Sequence, residues 1–116
     1  MKMLFICYPK CTTCQKARMW LDKSNISYEF RDIKLNNPTE KELMEWIKIS
    51  GLPIKRFFNT SGILYRELEL TKKLPSMSEE EQIKLLATDG MLVKRPLLIS
   101  DNNVLVGFKE KEWNEL

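Results

Sequence analysis

Two cysteines separated by two residues, Cys11 and Cys14, are the part of this sequence best suited to chemistry. They follow an apolar run over residues 3–8, and a helical pattern begins at residue 12. A Cys-x-x-Cys pair at such a junction is typical of redox-active or metal-binding sites. A tetrahedral zinc site would need four thiolates, or three and a carboxylate, and the chain has three cysteines and no histidine, so we expect no metal.

The position of Cys11 predicts a reactive thiolate. Free N–H groups and the dipole at a helix N-terminus stabilise negative charge, and the adjacent Lys10 adds a positive charge. Cys14 lies one turn further along, on the apolar face of the predicted helix, so we expect it to be shielded. An exposed thiolate attacks a disulfide, and a shielded thiol then resolves the mixed disulfide. Cys7 lies within the apolar run and is predicted to be a small core residue.

A second pair of residues, Arg95-Pro96, stands immediately before the apolar run Leu97-Leu98-Ile99. Proline has no N–H to donate to a neighbouring strand, so the start of a strand is one of the places where a sheet accepts it. The residues alone leave two interpretations of Arg95 open. It is either a solvent-exposed cation or an anion partner beside a reactive group.

The elements that would position these residues have the order β-α-β, several helices, a β-hairpin and a final helix. Strands are predicted at 3–8, 26–30, 97–99 and 104–106, and helices at 12–24 and 109–116. Further helix starts are predicted from capping-box spacing at Thr12/Gln15, Thr39/Glu42 and Ser78/Glu81. The first two strands should be parallel, because a helix connects them. This order predicts an α/β fold with a thioredoxin/glutaredoxin-like core and a helical insertion at about residues 39–88.

Length and composition limit the classes of function. The 116 residues suffice for one domain, 1–116, with an ordinary hydrophobic core. The net charge is +3, and the basic and acidic residues are interspersed, unlike the clustered basic surface of a nucleic-acid-binding protein. The N-terminal apolar run stops before Lys10, too early for a membrane span or a typical signal sequence. We therefore expect a cytoplasmic protein without direct contacts to nucleic acid or membrane.

Four segments of the chain resemble the arsenate reductase (ArsC) family, in the branch that includes Spx. They are residues 8–14, 57–62, 89–92 and 94–99, which read YPKCTTC, FFNTSG, DGML and KRPLLI. Val106-Gly107-Phe108, followed by an acidic segment with a tryptophan, also fits, so the resemblance covers nearly the whole chain. It implies a thioredoxin-like fold in which the Arg95–Pro96 bond is cis and lies across from Cys11.

The resemblance also implies roles for individual residues. The family's nucleophile corresponds to Cys11, and the arginine before its cis-proline corresponds to Arg95. Arsenate reductases of the glutaredoxin-coupled type hold the oxyanion with two further arginines, whose positions are taken here by Asn59 and Gly107. Such enzymes also usually lack the second cysteine of the motif, which is present here as Cys14. These differences favour a disulfide over arsenate as the substrate.

Three functions follow from the motif and the resemblance together. We favour a thiol–disulfide oxidoreductase with Cys11 as nucleophile, Cys14 as resolving thiol, and Arg95, Pro96 and Lys10 at the substrate or anion site. One alternative is an arsenate reductase that uses glutathione or glutaredoxin. The other is an Spx-like redox-sensing regulator that binds the RNA polymerase α subunit. The expected partner is a thiol or disulfide substrate or a redox protein, with no bound cofactor and with glutathione or another thiol as reductant.

Overall fold

A mixed sheet lies at the centre of the protein, whose computed structural model describes residues 3–116. Strand β1 (Met3–Cys7) pairs in parallel with β2 (Tyr28–Asp32) and antiparallel with β3 (Leu97–Ile99). Strand β3 forms an antiparallel hairpin with β4 (Val104–Val106). The resulting order in this part of the chain is β2-β1-β3-β4. The parallel first pair and the late hairpin confirm the predicted thioredoxin-like fold.

Helices cover both faces of the sheet. Helix α1 (Thr12–Lys23) connects the two parallel strands, and α6 (Glu110–Trp113) follows the hairpin. Between β2 and β3 lie α2 (Glu40–Ser50), α3 (Ile63–Glu67), α4 (Leu70–Lys73) and α5 (Glu79–Leu86). Short 3-10 turns are present at Ile54–Phe57, Leu74–Ser76 and Gly90–Leu92. Within the described residues, no helix is long and apolar enough to cross a membrane.

The alternation of side chains along β1 divides the interior into two hydrophobic clusters. Phe5 and Cys7 point to the cluster under α1 and α6, which we call the thiol cluster; it also contains Cys14, Ala17, Leu21, Leu98 and Trp113. Ile6, between them, belongs to the larger cluster formed with the inserted helices. Helix α1 and the hydrophobic cluster of the insertion therefore lie on opposite faces of the sheet.

Two of the three predicted capping boxes are confirmed. At α2, Thr39 Oγ1 accepts the N–H of Glu42 while the Glu42 carboxylate accepts the N–H of Thr39. The same reciprocal pair joins Ser78 and Glu81 at α5. In both helices, two donors at the N-terminus are thereby satisfied.

Some predictions of the elements were wrong in detail. Thr12 and Gln15 form no capping box: the N-cap of α1 is Cys11, and the Gln15 amide instead donates to the Pro9 carbonyl at 3.0 Å. The final helix is shorter than predicted, because only Glu110–Trp113 is helical. The region between Gly62 and Leu68 contains α3, which the sequence analysis did not predict.

Candidate active site

The N-terminus of α1 places Cys11 at the edge of the protein. A tight turn brings the Cys11 N–H to the Tyr8 carbonyl at 2.9 Å, and the Cys11 carbonyl then accepts the N–H of Gln15 at 3.0 Å. Cys11 has extended backbone angles, as an N-cap residue does. Its side chain is half-buried, with the N–H groups of the first turn of α1 nearby. The helix N-terminus therefore directs positive potential at this side chain.

Cys14 lies one turn inside α1 and is buried, as predicted. It is 1% exposed, and its sulfur accepts a hydrogen bond from the Tyr8 N–H at 3.3 Å. Contact with the Cys7 thiol raises the pKa of Cys14, and burial acts in the same direction. The Cys14 thiol is thus held protonated and shielded, whereas Cys11 is accessible. The three cysteines of the chain are free thiols in this structure.

Backbone pairing between two distant segments brings further residues to the same place. Phe58 and Val93 form an isolated antiparallel bridge, the Lys94 N–H donates to the Phe57 carbonyl, and the Asn59 N–H donates to the Leu92 carbonyl, both at 2.8 Å. These bonds set Asn59 opposite Leu92 and Lys94 opposite Phe57, and they fix the chain that leads to Arg95.

Gly90 lets this second segment approach the end of β2. A Cβ atom at position 90 would overlap the carbonyl oxygen of Ile33, the residue that follows β2. Only glycine therefore allows the turn Gly90–Leu92 to lie this close to Ile33. The approach positions the chain from Met91 onward beside the end of the sheet that carries Cys11.

A cavity of about 490 Å³ opens over Cys11. It is lined by Cys11, Thr13, Asn59, Ser61, Gly62, Ile63, Leu64, Met91, Lys94 and Arg95. The charged residues of this lining, Lys94 and Arg95, are both cations. Two of the predicted site residues, Cys11 and Arg95, thus share one cavity. Pro96 is buried behind it, and Lys10 is exposed in the turn before Cys11, outside the lining.

Arg95 is held at the cavity wall by few polar contacts. The Arg95–Pro96 bond is cis, as the resemblance implied. The guanidinium lies 5.6 Å from the centre of the Tyr8 ring, and its Nη1 donates to the Val93 carbonyl at 3.4 Å. Among residues 3–116, no hydrogen-bond partner reaches the buried Nε of Arg95. The Val93 carbonyl is the one hydrogen-bond acceptor of the guanidinium in this part of the chain, so its terminal nitrogens keep donor capacity for an anion in the cavity.

A second, smaller cavity adjoins the first through Thr13, Lys94 and Arg95. Its volume is about 280 Å³, and its lining adds Arg56, Val106, Gly107, Phe108 and Lys109. Four cations therefore surround it. The positive potential of this region extends from Cys11 toward Gly107, which favours substrates that carry negative charge.

Sequence reasoning missed Thr13, Lys94 and Tyr8 as parts of the site. Lys94 directly precedes the Arg-Pro step and Thr13 lies within the cysteine motif, so both could have been found by extending the motifs. The contact of Tyr8 with Arg95 joins residues far apart in the chain and had no local signal. In the part of the chain that the structure describes, no group of three or more His, Cys, Asp or Glu side chains is arranged to bind a metal ion.

Comparison with protein families matches residues 7–116, nearly the whole chain, to the ArsC family. The chain belongs to the ArsC family. A protein of Bacillus subtilis called YusI is 49% identical over 115 residues, which cover 99% of this chain and 98% of the relative. The Spx 1 protein of Bacillus cereus, a global transcriptional regulator, is 27% identical over 104 residues, or 90% of this chain and 78% of the relative.

Solved structures of similar proteins share the fold. A putative ArsC family related protein from Bacteroides fragilis is 60% identical, with a TM-score of 0.97 and coverage of 99% of this chain and 97% of the other. A possible arsenate reductase from Streptococcus mutans is 42% identical, with a TM-score of 0.88 and 97% coverage of both chains. Membership of the ArsC family thus joins this chain both to possible reductases and to a regulator.

Proposed function

We propose that this ArsC protein is a thiol–disulfide oxidoreductase in which Cys11 is the nucleophile and Cys14 the resolving thiol. One observation carries the proposal. Cys11 is accessible at the N-terminus of α1 in a cationic cavity, and Cys14 is buried one turn behind it. An ArsC protein without Cys14 would need an external thiol for the second step, whereas here the chain supplies it.

The reaction follows from this asymmetry. The Cys11 thiolate attacks one sulfur of a substrate disulfide; a Cys11–substrate disulfide forms, and the other half of the substrate leaves as a thiolate. The Cys14 thiol then attacks the Cys11 sulfur and gives up its proton to the second half of the substrate, which leaves as a thiol, so that Cys11 and Cys14 are joined. The substrate is reduced by two electrons and the protein is oxidised by two. Glutathione or another thiol returns the protein to its reduced form.

Trapping tests the proposal directly. A Cys14→Ser variant cannot complete the second step, so it should accumulate a mixed disulfide at Cys11 with its substrate or redox partner. Cys11→Ser is the matched control and should trap nothing. Equal trapping by both variants, or none by Cys14→Ser in a lysate treated with a mild oxidant, contradicts the assignment of nucleophile and resolving thiol.

Arsenate reduction is the second candidate, and the cations around the site are the observation that favours it. Arg95 matches the family's oxyanion arginine, while Asn59 and Gly107 stand at the other two positions implied by the resemblance. Lys94, Arg56 and Lys109 lie in the cavities near them. Turnover of arsenate with glutathione and glutaredoxin distinguishes this activity from disulfide reduction.

A regulatory role is the third candidate and rests on the similarity to Spx 1. The resemblance implies a contact with the RNA polymerase α subunit, for which the residues described here supply no separate argument. A pull-down of purified α subunit by the reduced and oxidised protein tests it. Binding that depends on oxidation of Cys11 and Cys14, without catalytic turnover of disulfides, would replace the enzymatic proposal by the regulatory one.

A further inference from the structure

The buried thiol of Cys7 has no part in the mechanism above, although it lies beside the reacting sulfurs. Cys7 is the last residue of β1 and is 2% exposed. It belongs to the same hydrophobic cluster as Cys14, against which Cys11 also packs. The sequence predicted a core residue at this position, and the burial agrees. What the sequence did not indicate is the contact between the thiols.

The three sulfurs are arranged with Cys14 in the middle. The Cys14 thiol contacts Cys7 and lies next to Cys11, and all three side chains pack in the thiol cluster. The turn after β1 produces this arrangement, because it folds the first turn of α1 back over the end of the strand. The Tyr8 N–H, immediately after Cys7, holds the Cys14 sulfur at 3.3 Å.

We propose that Cys7 is a second resolving thiol, which transfers the disulfide from the Cys11–Cys14 pair to a buried Cys7–Cys14 pair. The proposal rests on the function proposed above, since that reaction delivers the first disulfide. In the added step, the Cys7 sulfur attacks the Cys14 sulfur. The Cys7–Cys14 bond forms, the Cys11–Cys14 bond breaks, and Cys11 leaves with the electron pair as a thiolate. The proton of Cys7 passes to solvent, and one disulfide is present before and after, so no further oxidant is needed.

The surroundings of Cys7 and of Cys11 favour transfer of the disulfide from the Cys11–Cys14 pair to the Cys7–Cys14 pair. In the reduced protein a hydrogen bond from the Cys14 thiol lowers the pKa of Cys7, and the positive charge of Arg18 acts in the same direction, while burial opposes both. In the Cys11–Cys14 disulfide that donor is absent, and the charge of Arg18 is the contact that still favours the Cys7 thiolate. Arg18 is held by the Phe30 ring, 4.5 Å from its guanidinium, and by the Tyr28 hydroxyl. At the other end, Cys11 lies at the helix N-terminus and shares a cavity with Arg95, so positive potential surrounds the sulfur that leaves.

The transfer changes which thiol remains free after one oxidation. If the disulfide stays between Cys11 and Cys14, the free thiol is the buried Cys7. After transfer to Cys7–Cys14, the free thiol is Cys11, which faces the cavity and can react again. The oxidised protein then keeps an accessible nucleophile.

Disulfide mapping of the intact chain tests the transfer. The reduced protein is treated with one equivalent of bis(2-hydroxyethyl) disulfide, labelled with iodoacetamide under native conditions, then denatured and labelled with a heavy alkylating reagent. Trypsin cleaves after Lys10 and Lys16, so Cys7 falls in one peptide and Cys11 and Cys14 in the next. We expect the two peptides to be joined by Cys7–Cys14, with the native label on Cys11.

Variants separate this proposal from the one on which it rests. Cys7→Ala should form Cys11–Cys14 and lose all native labelling after oxidation. Cys11→Ser should form the Cys7–Cys14 bond far more slowly than the wild type with this reagent, because the delivering thiol is gone.

The outcomes that overturn the transfer are distinct from those that overturn the oxidoreductase. If the two peptides are not linked, Cys11 and Cys14 form the disulfide, and Cys7 is labelled only after denaturation, then the transfer is rejected. The proposed function is not affected by that outcome. Formation of Cys7–Cys14 in Cys11→Ser at the wild-type rate also rejects the transfer. Absence of any disulfide at Cys14, together with no trapping by Cys14→Ser, rejects the proposed function itself.

Discussion

At the scale of the residue, the incompletely hydrogen-bonded guanidinium of Arg95 is the feature with the clearest chemical consequence. It shares a cavity with Cys11 and carries a permanent charge. We predict that Arg95→Ala slows alkylation of Cys11 by iodoacetamide near neutral pH, because the thiolate loses its cationic neighbour. Arg95→Lys should retain part of the rate, since the charge remains without the planar fork. The rate–pH profile of alkylation measures the effect.

Arg56→Ala is the matched control for Arg95. Arg56 lines the smaller cavity but not the one that contains Cys11, so its removal should change the alkylation rate much less. An unchanged rate–pH profile in Arg95→Ala would reject the electrostatic role of Arg95. An equal decrease in both variants would show that the general positive potential, and not Arg95 in particular, stabilises the thiolate.

The same residues lead to a prediction for arsenate. Asn59 and Gly107 stand where two oxyanion arginines are expected, and each absent charged hydrogen bond weakens anion binding by about 1.5–3 kcal/mol. We predict weak or no arsenate reduction with glutathione and glutaredoxin, measured as turnover at sub-millimolar arsenate. Robust turnover would contradict this prediction and would assign the missing role to Lys94, Arg56 or Lys109.

How much of the site could be predicted depends on the distance along the chain over which its residues interact. Cys11, Cys14 and the Arg-Pro step belong to short motifs, and their positions were predicted. The contact between Cys7 and Cys14 depends on how the turn after β1 folds α1 back. The meeting of Asn59 with Lys94 depends on the Phe58–Val93 bridge. Pairings between distant segments have no periodicity or spacing that marks them in the sequence.

At the scale of the element, an ion pair fixes the inserted helix α2 against the sheet. Arg31 in β2 binds the Glu42 carboxylate with both terminal nitrogens, at 2.7 and 2.9 Å, and these contacts lower the pKa of Glu42. Because the folded-state pKa is lowered, the stabilisation is present above the ordinary pKa of glutamate, about 4.3, and is lost as the pH falls below it. The pair is partly exposed, so it stabilises by about 1 kcal/mol or less at neutral pH.

The Glu42→Gln variant removes the negative charge that binds Arg31. It keeps the capping box of α2, because glutamine also serves at this position of a capping box. We predict that Glu42→Gln has a lower urea unfolding midpoint than the wild type at pH 7. The difference between the two midpoints should shrink as the pH approaches 3. Glu81→Gln is the matched control. Glu81 has the same position in the α5 box, is not bound by an arginine in the described structure, and should show a smaller change. A difference in midpoint that is independent of pH would contradict the assignment.

The elements themselves were predicted best where a local interaction determines them. The reciprocal capping boxes of α2 and α5, and the glycine at position 51 with its positive φ of 67° after α2, are local signals. Helix α1 begins one residue after Cys11 without the predicted box, because its start is set by the turn from Tyr8. Helix α3 has five residues, too few for a periodic pattern to be recognised, and the four-residue helix α6 was predicted but with the wrong length.

At the scale of the whole molecule, Trp113 is the largest side chain that closes the thiol cluster. It is fully buried, its ring lies edge-on to Phe5, Trp20 and Phe108, and its Nε1 donates to the Gly107 carbonyl at 3.2 Å. We predict that Trp113→Ala lowers the free energy of unfolding by about 3–5 kcal/mol. It should also increase native-state alkylation of Cys14, because the cavity opens the cluster that shields this thiol.

Met44→Ala is the control for Trp113→Ala. Met44 is 60% exposed on α2, on the other face of the sheet, and its truncation should change the stability by about 0.5 kcal/mol or less. Urea unfolding measures the change in stability, and thiol labelling at a single urea concentration measures the exposure of Cys14. Destabilisation by Trp113→Ala without increased Cys14 labelling would show that other residues shield the thiol cluster.

The place of β1 in the centre of the sheet has a consequence for how the protein is made. During translation the segment with all three thiols leaves the ribosome before the other strands of the sheet, and β2 can pair with it soon afterwards. The strand that covers its other edge, β3, emerges only after the whole insertion, and Trp113 emerges later still. Until then the thiols of Cys7 and Cys14 lack their final cover. A nascent chain is therefore far more sensitive to oxidants than the finished protein, and expression under oxidising conditions should yield cross-linked chains.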